Sequence, residues 1–187
     1  AVTLNADPDH ETQSDYSFTV VATDAAGNES EAQSVSLSIN NLDEVAPAIT
    51  SGDTAVAIDE NSGTDQVIYT ATADDSADVS GGVTFSLSAG SDAALSIDSD
   101  TGAVTLNADP DHETQSDYSF AVVATDAAGN QSDAQSVTLD INDLDDTQPI
   151  ITSGDTVLAI DENSDTGQVI YTATADDSAD VSDGVTS

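Results

Sequence analysis

A long internal repeat governs the architecture of this chain. The ten residues from Ala1 to His10 recur unchanged at positions 103–112, and the segment 49–53 recurs at 151–155. Both pairs give a period of 102 residues, the distance from position 1 to position 103. A solenoid unit is about 20–50 residues long, whereas this period has the size of a small domain. The sequence therefore predicts similar domains in tandem.

Two proline-terminated segments, Ile39–Pro47 and Ile141–Pro149, occupy equivalent places in the repeat. We take them as the first and second joints between domains. They predict one complete unit over residues 47–148, the back part of a preceding unit over 1–46 and the front part of a following unit over 149–187. Neither end piece should bury a full core alone, and together they lack only the counterpart of Ser86–Gly102. We expect the tail of one molecule to complete the head of the next, or the chain to be a piece of a longer array.

Within the complete unit, apolar and polar residues alternate over short runs that are separated by Gly, Asp, Ser and Asn. This pattern is typical of β-strands. The predicted strands cover 54–58, 66–73, 83–87, 95–97, 103–106, 118–125 and 136–141. Tyr118 and Phe120 should anchor the core, and Val67, Tyr69, Ala71 and Ala73 should share one face. The fold predicted is an all-β, seven-stranded antiparallel sandwich.

Charge restricts the partners. The chain has 37 acidic residues and neither Lys nor Arg, a formal charge of −37. Nucleic acids and anionic membrane surfaces require a basic face, so both are excluded as electrostatic partners, whereas metal cations are favoured. No cysteine is present to form disulfides or thiolate sites, and no apolar run approaches a membrane span. No signal peptide heads the chain, so we expect it to be part of a larger secreted protein.

Acidic residues crowd both joints. Asp143, Asp145 and Asp146 lie in the second, and Asp43 and Glu44 lie in the first. Carboxylates this close repel one another unless a cation lies between them, and calcium is the hard cation that accepts six to eight oxygen ligands. The sequence thus predicts calcium at each joint, although most single acids should simply be solvated and several suit turns.

The sequence gives little support for an enzymatic function. A glycosidase needs a pair of carboxylates in one cleft, but here the acids recur in every unit and no Trp offers a sugar platform. No nucleophile elbow or phosphate-binding loop is apparent. His10 and His112 are single histidines at equivalent positions, and we interpret them as exposed loop residues in preference to ligands.

The motifs resemble those of the cadherin repeat, in particular the cadherin-like tandem repeats of giant bacterial surface adhesins of the RTX type. The second joint is similar to the linker Asp-x-Asn-Asp-Asn-x-Pro, and Asp59-Glu-Asn61 is similar to Pro-Glu-Asn. Asp111-His-Glu113 resembles Asp-Arg-Glu, and Ala124-Thr-Asp126 resembles Ala-x-Asp. Segment 96–105 resembles the core turn Ile-Asp-x-x-Thr-Gly-x-Ile, and 73–78 takes the place of Asp-Ala-Asp. The resemblance implies a Greek-key sandwich with calcium between units.

Carried over residue by residue, the resemblance implies two clusters of calcium ligands, each spanning two units. The second cluster comprises Glu60, Asp111, Glu113, Asp143, Asp145 and Asp146, with Asp176, Asp177 and Asp180 of the next unit. The first comprises Asp9, Glu11, Asn41, Asp43 and Glu44, with Asp74, Asp75, Asp78 and Asp126 of the central unit.

Some positions depart from the family pattern. Asp145 and Thr147 stand where the linker carries Asn, and it is open which of Asp74, Asp75 and Asp78 would bind metal. Neutral Asn41 in place of Asp143 removes a charge and should weaken the first cluster.

The function implied is structural: a calcium-rigidified extender of a secreted bacterial cell-surface adhesin, which projects a distal binding module for attachment or biofilm formation. Its partners would be calcium ions and neighbouring repeats, with no nucleic acid, no membrane insertion and no enzymatic activity. The alternative is an adhesion module that itself contacts a surface, a sugar or another adhesin. An exposed aromatic cluster or a flat Thr array on one sheet would favour that alternative.

Overall fold

The computed structural model describes residues 1–79 and 81–181, and the part described is all β. The strands are β1 (Asp15–Val20), β2 (Gln33–Ser38), β3 (Ala48–Ile49), β4 (Ile58–Asp59), β5 (Gln66–Thr70), β6 (Ala73–Asp74), β7 (Val83–Leu87), β8 (Leu95–Ile97), β9 (Ala103–Leu106), β10 (Asp117–Asp126), β11 (Gln135–Asn142), β12 (Ile150–Ile151) and β13 (Ala175–Asp176). Strands β3 to β11 belong to the central unit. No helix long and apolar enough to cross a membrane occurs among the described residues.

The central unit is a β-sandwich. One sheet has the strand order β4-β11-β10-β7, and the other has the order β5-β9-β8, with a short β3·β6 pair beside them. Alternate residues of β10 are buried, among them Tyr118, Phe120 and Val122, and Val104 and Leu106 of β9 are fully buried. Full burial of each such side chain contributes about 1.5–3 kcal/mol. The predicted all-β sandwich is confirmed, as is the placing of Tyr118 and Phe120 in the core.

The first predicted strand is wrong in its extent and its direction of pairing. Instead of a strand over 54–58, Ala48–Ile49 pairs with β6 in a separate two-stranded sheet, and Ile58–Asp59 pairs with β11. The pairing with β11 is parallel, as is the isolated bridge between Thr54 and Thr138. The sandwich is therefore not wholly antiparallel.

The predicted strand 66–73 is interrupted. It ends at Thr70, Ala71 donates its N–H to the carbonyl of Gly102, and pairing resumes only at β6. Gly102 has φ of +70°, and a Cβ there would lie 2.5 Å from the carbonyl oxygen of Ala71. The close approach of these two backbone segments therefore requires glycine.

A β-bulge removes Val67 from the face that it was predicted to share with Tyr69, Ala71 and Ala73. The register between β5 and β9 shifts between Val67 and Tyr69, so Val67 is 61 % exposed whereas Ile68 is only 6 % exposed. A bulge adds one residue to one strand and reverses the alternation beyond it. Tyr69 still reaches the core, where its ring packs edge-on against Phe120 with centroids 5.6 Å apart.

The two end pieces repeat parts of the central unit. Strands β1 and β2 pair from Asp15↔Ser38 to Val20↔Gln33, and β10 and β11 pair in the same way. The predicted boundaries at 47–148 remain a prediction, and residues 182–187 of the last piece lie outside the described residues.

Candidate metal centre

The candidate ligands lie at the ends of strands, where several loops meet at each joint. Strand β11 leads directly into the second joint, and β4 ends beside it because Asn142 and Asp59 are register partners. The side-chain amide of Asn142 also donates to Asp59 Oδ1 at 2.9 Å. Sheet pairing thus carries the Asp59-Glu-Asn61 turn to the start of the joint.

Glu60 is the buried centre of the second joint, with 1 % exposure. Its Oε1 accepts the backbone N–H of Leu144 at 2.6 Å, and its Oε2 accepts that of His112 at 2.9 Å. The next residue, Asn61, has φ of +55° and donates from Nδ2 to Asp146 Oδ2 at 2.7 Å. One turn therefore fastens both the 111–113 loop and the joint itself.

Two groups of possible ligands meet at the second joint. In each group, one ligand atom per residue lies within 4.8 Å of the others. The groups are Glu60 with Glu113 and Asp146, and His112 with Glu113 and Asp143. Glu113 belongs to both, so the two groups are contiguous. Burial raises the pKa of Glu113 above its ordinary 4.5, and nearby Glu60 acts in the same direction.

Asp180 connects the following unit to this joint. Its Oδ2 accepts the N–H groups of Asp146 at 2.8 Å and Thr147 at 3.2 Å. The hydrogen bond from Asp146 is the main reason that the pKa of Asp180 lies below 3.8. The pKa of Asp143, by contrast, is raised by burial and then by its hydrogen bond with Asp180. Asp143 and Asp180 therefore influence each other's protonation across the joint.

The first joint also gathers acids from two units. One group is Glu11, Glu44 and Asp78, and the other is Asp43, Asp75 and Asp126. Asn41 takes part through a hydrogen bond from its Nδ2 to Asp78 Oδ1 at 3.0 Å. Burial raises the pKa of Asp43 and of Glu44, and Coulomb repulsion from Asp126 and Glu11, respectively, raises it further.

Asp126 is both a turn residue and a member of the first group. Its Oδ1 accepts the N–H groups of Gly129 and Asn130, and its Oδ2 accepts the Asn130 side chain. Burial acts to raise its pKa, but these hydrogen bonds prevail and hold the pKa below 3.8. The same Asn130 amide donates to the carbonyl oxygen of Asp43 at 3.0 Å, which ties the turn to the joint.

The structure does not place all the predicted ligands in these groups. The predicted ligands outside the four groups found among the described residues are Asp9, Asn41, Asp74, Asp111, Asp145, Asp176, Asp177 and Asp180, so both groups at the second joint come from the central unit alone. Asp9 and Asp111 accept hydrogen bonds from Thr12 and Thr114, respectively. Asp74 and Asp176 accept the N–H groups two residues ahead. Of the three acids left open at 74–78, Asp75 and Asp78 are the ones that join a group.

His112 differs from its sequence interpretation. It is half-buried rather than exposed, with Nδ1 at 3.3 Å from Asp143 Oδ2 and 3.7 Å from Glu113 Oε1. His10 is likewise half-buried, with Nδ1 at 3.3 Å from Glu11 Oε1. The signal that could have found His112 was its place between Asp111 and Glu113, where the cadherin motif carries Arg. A basic side chain at that position faces the joint.

The ligand set suits a hard cation. Apart from His112, every group member offers carboxylate oxygen, which calcium and magnesium prefer. Asp75 Oδ2 and Asp78 Oδ2 are buried and have no hydrogen-bond partner. Buried polar atoms in folded proteins are normally satisfied, so these two oxygens have the capacity to accept a ligand that the protein does not supply. A divalent cation is compatible with both observations.

The comparisons with known proteins agree with this geometry. Residues 54–142 match the family model described as Cadherin domain. Over these residues the central unit is cadherin-like. Residues 3–41 match the model described as Bacterial Ig-like domain. This segment contains β1 and β2, and the same pairing recurs in β10 and β11 within the cadherin match. Cadherin domains generally bind calcium and adjacent repeats, they are extracellular, and the family is not enzymatic.

Individual relatives are long proteins. The chain is 29 % identical over 161 residues to the protocadherin-like wing polarity protein stan of Drosophila melanogaster, covering 81 % of this chain and 4 % of that protein. It is 34 % identical over 88 residues to human protocadherin-23, covering 46 % of this chain and 3 % of that protein. The chain thus spans a small fraction of these curated relatives.

Solved structures show the same fold. Mouse cadherin-23 EC22-24 superposes with a TM-score of 0.61 at 23 % identity, over 91 % of this chain and 56 % of that one. The cis-dimer structure of protocadherin gammaB7 EC3-6 gives 0.58 at 20 % identity, over 89 % and 44 %. Both contain consecutive cadherin repeats, and the cadherin fold extends over most of this chain.

Proposed function

We propose that this chain is a calcium-rigidified extender of a bacterial cell-surface adhesin, in which ions bound at each joint hold consecutive repeats in line. The observation that carries the proposal is the meeting of acids from both sides of the first joint, together with the contact of Asp180 with the backbone of the second joint. At the first joint, Glu11 and Glu44 lie beside Asp78, and Asp43 lies beside Asp75 and Asp126. No one unit supplies a complete group there.

The residues act by sharing one ion between two units. Calcium would supply the positive countercharge for these carboxylates, because the chain has no Lys or Arg to provide one. Glu60 fixes the loop and the joint through its two accepted N–H groups, and Asp180 fixes the following unit to the backbone of Asp146 and Thr147. Because the Asp180 contacts form only when adjacent units are aligned, a ligand that needs both sides selects the aligned arrangement. Without the ion, repulsion between the carboxylates opposes that arrangement.

The ligands implied by the cadherin resemblance fall into two classes in this proposal. Members of the four groups bind the ions directly, and Asp9, Asp74, Asp111, Asp145, Asp176, Asp177 and Asp180 complete the shell by small rotations of their side chains. Asn41 leaves the first joint with one negative charge fewer than the second, so the first joint binds calcium more weakly. The predicted units 1–46, 47–148 and 149–187 are the segments that calcium aligns.

The setting proposed is an extended protein outside the cell. The relatives it matches are long, and cadherin homologues are extracellular. Each repeat adds on the order of 40 Å, from strands that rise about 3.3 Å per residue and the joint beyond them. Repetition would then project a distal module of an RTX-type adhesin for attachment or biofilm formation, and this segment itself would catalyse no reaction.

Small-angle scattering tests this function directly. A chain of three complete repeats should have a longer maximum dimension in calcium than in chelator, because the aligned form is selected only with the ion. An Asp75→Asn, Asp78→Asn double variant in each repeat should show little of that extension. A maximum dimension that is the same in calcium and in chelator would remove calcium from the mechanism.

One observation favours the alternative, an adhesion module that itself contacts a ligand. Exposed hydroxyl side chains line the outer face of β10 and β11, where Ser119 is the register partner of Thr138 and Ser136 is the next outward residue of β11. A row of hydroxyl groups can hydrogen-bond to a sugar or a solid surface. The buried Tyr118 and Phe120 do not contribute to such a face. Binding to glycans or mineral surfaces that is lost on Ser119→Asp, Thr138→Asp substitution would support this alternative.

A further inference from the structure

The second joint contains a nitrogen ligand among its carboxylates. Nδ1 of His112 lies 3.3 Å from Asp143 Oδ2 and 3.7 Å from Glu113 Oε1. One ligand atom from each of these three residues lies within 4.8 Å of the other two. Of the four groups found among the described residues, this group alone includes a histidine. The ligand set therefore differs in kind from the all-oxygen groups.

The spacing of these atoms suits a single small ion. In proteins, zinc lies about 2.0–2.2 Å from imidazole nitrogen and from carboxylate oxygen. Ligand atoms at the corners of a tetrahedron of that radius are about 3.3–3.6 Å apart. The two distances from His112 Nδ1 are in or close to this range. The three side chains are 29–40 % exposed, so water has access to the remaining position.

The loop that carries the imidazole is fixed by a buried acceptor. The backbone N–H of His112 donates to Glu60 Oε2 at 2.9 Å, and Glu60 is 1 % exposed. Asp111 closes the same loop by accepting hydrogen bonds from the backbone and side chain of Thr114. The ring thus projects from a backbone that is held before any ion binds, which reduces the cost of ordering a site.

The first joint provides an internal comparison. His10 and Glu11 repeat the same dipeptide, and His10 Nδ1 lies 3.3 Å from Glu11 Oε1. The counterpart of Asp143 is Asn41, whose amide donates to Asp78 Oδ1. His10 belongs to none of the four groups found in the described part of the chain. The dipeptide thus becomes part of a three-ligand group at the joint that carries Asp.

The nitrogen determines the class of ion. Calcium takes oxygen ligands, whereas imidazole suits divalent transition-metal ions such as zinc. We propose that His112, Glu113 and Asp143 bind a divalent transition-metal ion at the second joint, for which zinc is the probe. All three ligands belong to the central unit, so binding does not require an aligned neighbour and does not rest on the proposed function. Calcium at this joint would compete for Glu113 and Asp143.

The ring nitrogens of the two histidines test the site directly. The chain has only His10 and His112, so nitrogen NMR of the whole chain reports on two imidazoles. At about pH 7.5 in calcium-free buffer, one equivalent of zinc should shift the Nδ1 resonance of His112 and leave His10 unchanged. A shift of neither ring would mean that carboxylates alone bind zinc, and an equal shift of both would mean that any His-Glu pair does. Either result would overturn the proposal.

Matched substitutions measure the contribution of the imidazole. His112→Gln should weaken zinc binding in calorimetric titration at least about tenfold, since loss of even an indirect partner of a metal ligand costs about 10–100-fold. His10→Gln should leave the affinity unchanged. His112→Gln keeps the backbone N–H that Glu60 accepts, so the unfolding midpoint in chelator should also be unchanged. Equal effects of the two substitutions on zinc affinity would overturn the proposal.

A gain of binding tests the part played by Asp143. Asn41→Asp gives the first joint the carboxylate that it lacks, so zinc should then shift the His10 ring as well. A His10 ring that stayed unshifted would contradict the role given to Asp143.

Zinc binding and calcium alignment can fail separately. Loss of calcium-dependent extension in scattering, with the zinc shift of His112 intact, would refute the proposed function and retain this site. Extension in calcium without a zinc shift would refute this site alone.

Discussion

Replacement of Glu60 separates its structural role from metal binding. The residue is 1 % exposed and accepts two backbone N–H groups, one from Leu144 and one from His112. Glu60→Ala removes both acceptors at once. Each backbone donor left buried without a partner destabilises the fold by about 1–3 kcal/mol, so the variant should lose about 2–6 kcal/mol even in chelator. Glu60→Gln keeps one acceptor oxygen but turns an NH₂ group toward the other donor, and should lose about 1–3 kcal/mol.

These losses are large enough to measure by thermal unfolding. A change of 1 kcal/mol shifts the midpoint of a 60–100-residue domain by about 4–8 °C. Glu60→Ala should therefore lower the midpoint by about 10 °C or more in chelator. In calcium the loss should be greater, because Glu60 also lies within 4.8 Å of ligand atoms of Glu113 and Asp146. Differential scanning calorimetry in both conditions gives the two contributions.

The chain offers a matched control in Glu162, the equivalent residue one repeat later, which is exposed. Glu162→Ala should leave the main unfolding transition unchanged in either condition. If Glu60→Ala and Glu162→Ala behaved alike in chelator, Glu60 would not be the acceptor that fastens the joint. If the loss from Glu60→Ala were the same with and without calcium, Glu60 would not contribute to a metal site.

Three further predictions concern the charge of the joints and the backbone. Asp143→Asn should lower the unfolding midpoint in calcium, because it removes a carboxylate ligand. In chelator it should leave the midpoint unchanged or raise it, since burial and Asp180 already raise the pKa of Asp143 and so disfavour its charged form. A lower midpoint in both conditions would contradict this prediction. In chelator, the unfolding midpoint should fall as pH rises from about 5 to 7, because the raised pKa values of Asp43, Glu44 and Asp143 let the folded state hold more protons than the unfolded state, whereas carboxyls with lowered pKa values, such as Asp126 and Asp180, are ionised in both states by about pH 5. A midpoint that rose over the same range in chelator would refute this sign. Gly102→Ala should destabilise the central unit by about 2–4 kcal/mol in urea unfolding, because Gly102 has a left-handed φ and a Cβ there would clash with Ala71. The control Gly90→Ala should lose only about 1 kcal/mol, because Gly90 has φ of +98° but open space around it.

Most of the sandwich could be predicted from periodicity. The alternation in 117–126 and 135–142 is long and regular, and the buried residues of β10 and β11 follow it throughout. Periodicity failed where pairing depends on a partner strand. Ala48–Ile49 is too short to show a period, and Thr54 and Ile58 pair in parallel with a strand some 80 residues away. The bulge at Val67 is set by the register with β9, which local alternation does not contain.

The site could be predicted as a location more readily than as a list of ligands. Sequence spacing placed acids at both joints, and the structure groups several of them there. It could not show that Asp9 and Asp111 would turn toward threonine partners, because that choice depends on loop conformation. It also missed His112, since one histidine beside a glutamate has no distinctive pattern until the fold brings Asp143 within 3.3 Å.

The absence of Lys and Arg leaves few ways to balance the charge of the joints. Every ion pair found among the described residues involves a histidine, so no permanent side-chain cation is present to neutralise the grouped carboxylates. Protons and divalent ions can both relieve the repulsion between these carboxylates. A proton, however, neutralises a single carboxylate, whereas a divalent ion can bind carboxylates from two units at once. Acid in chelator and calcium at neutral pH should therefore both stabilise the central unit, yet only calcium should extend a chain of three repeats in small-angle scattering. Equal extension at about pH 5 in chelator and at pH 7 in calcium would show that loss of repulsion alone aligns the repeats, and that no shared ion is needed.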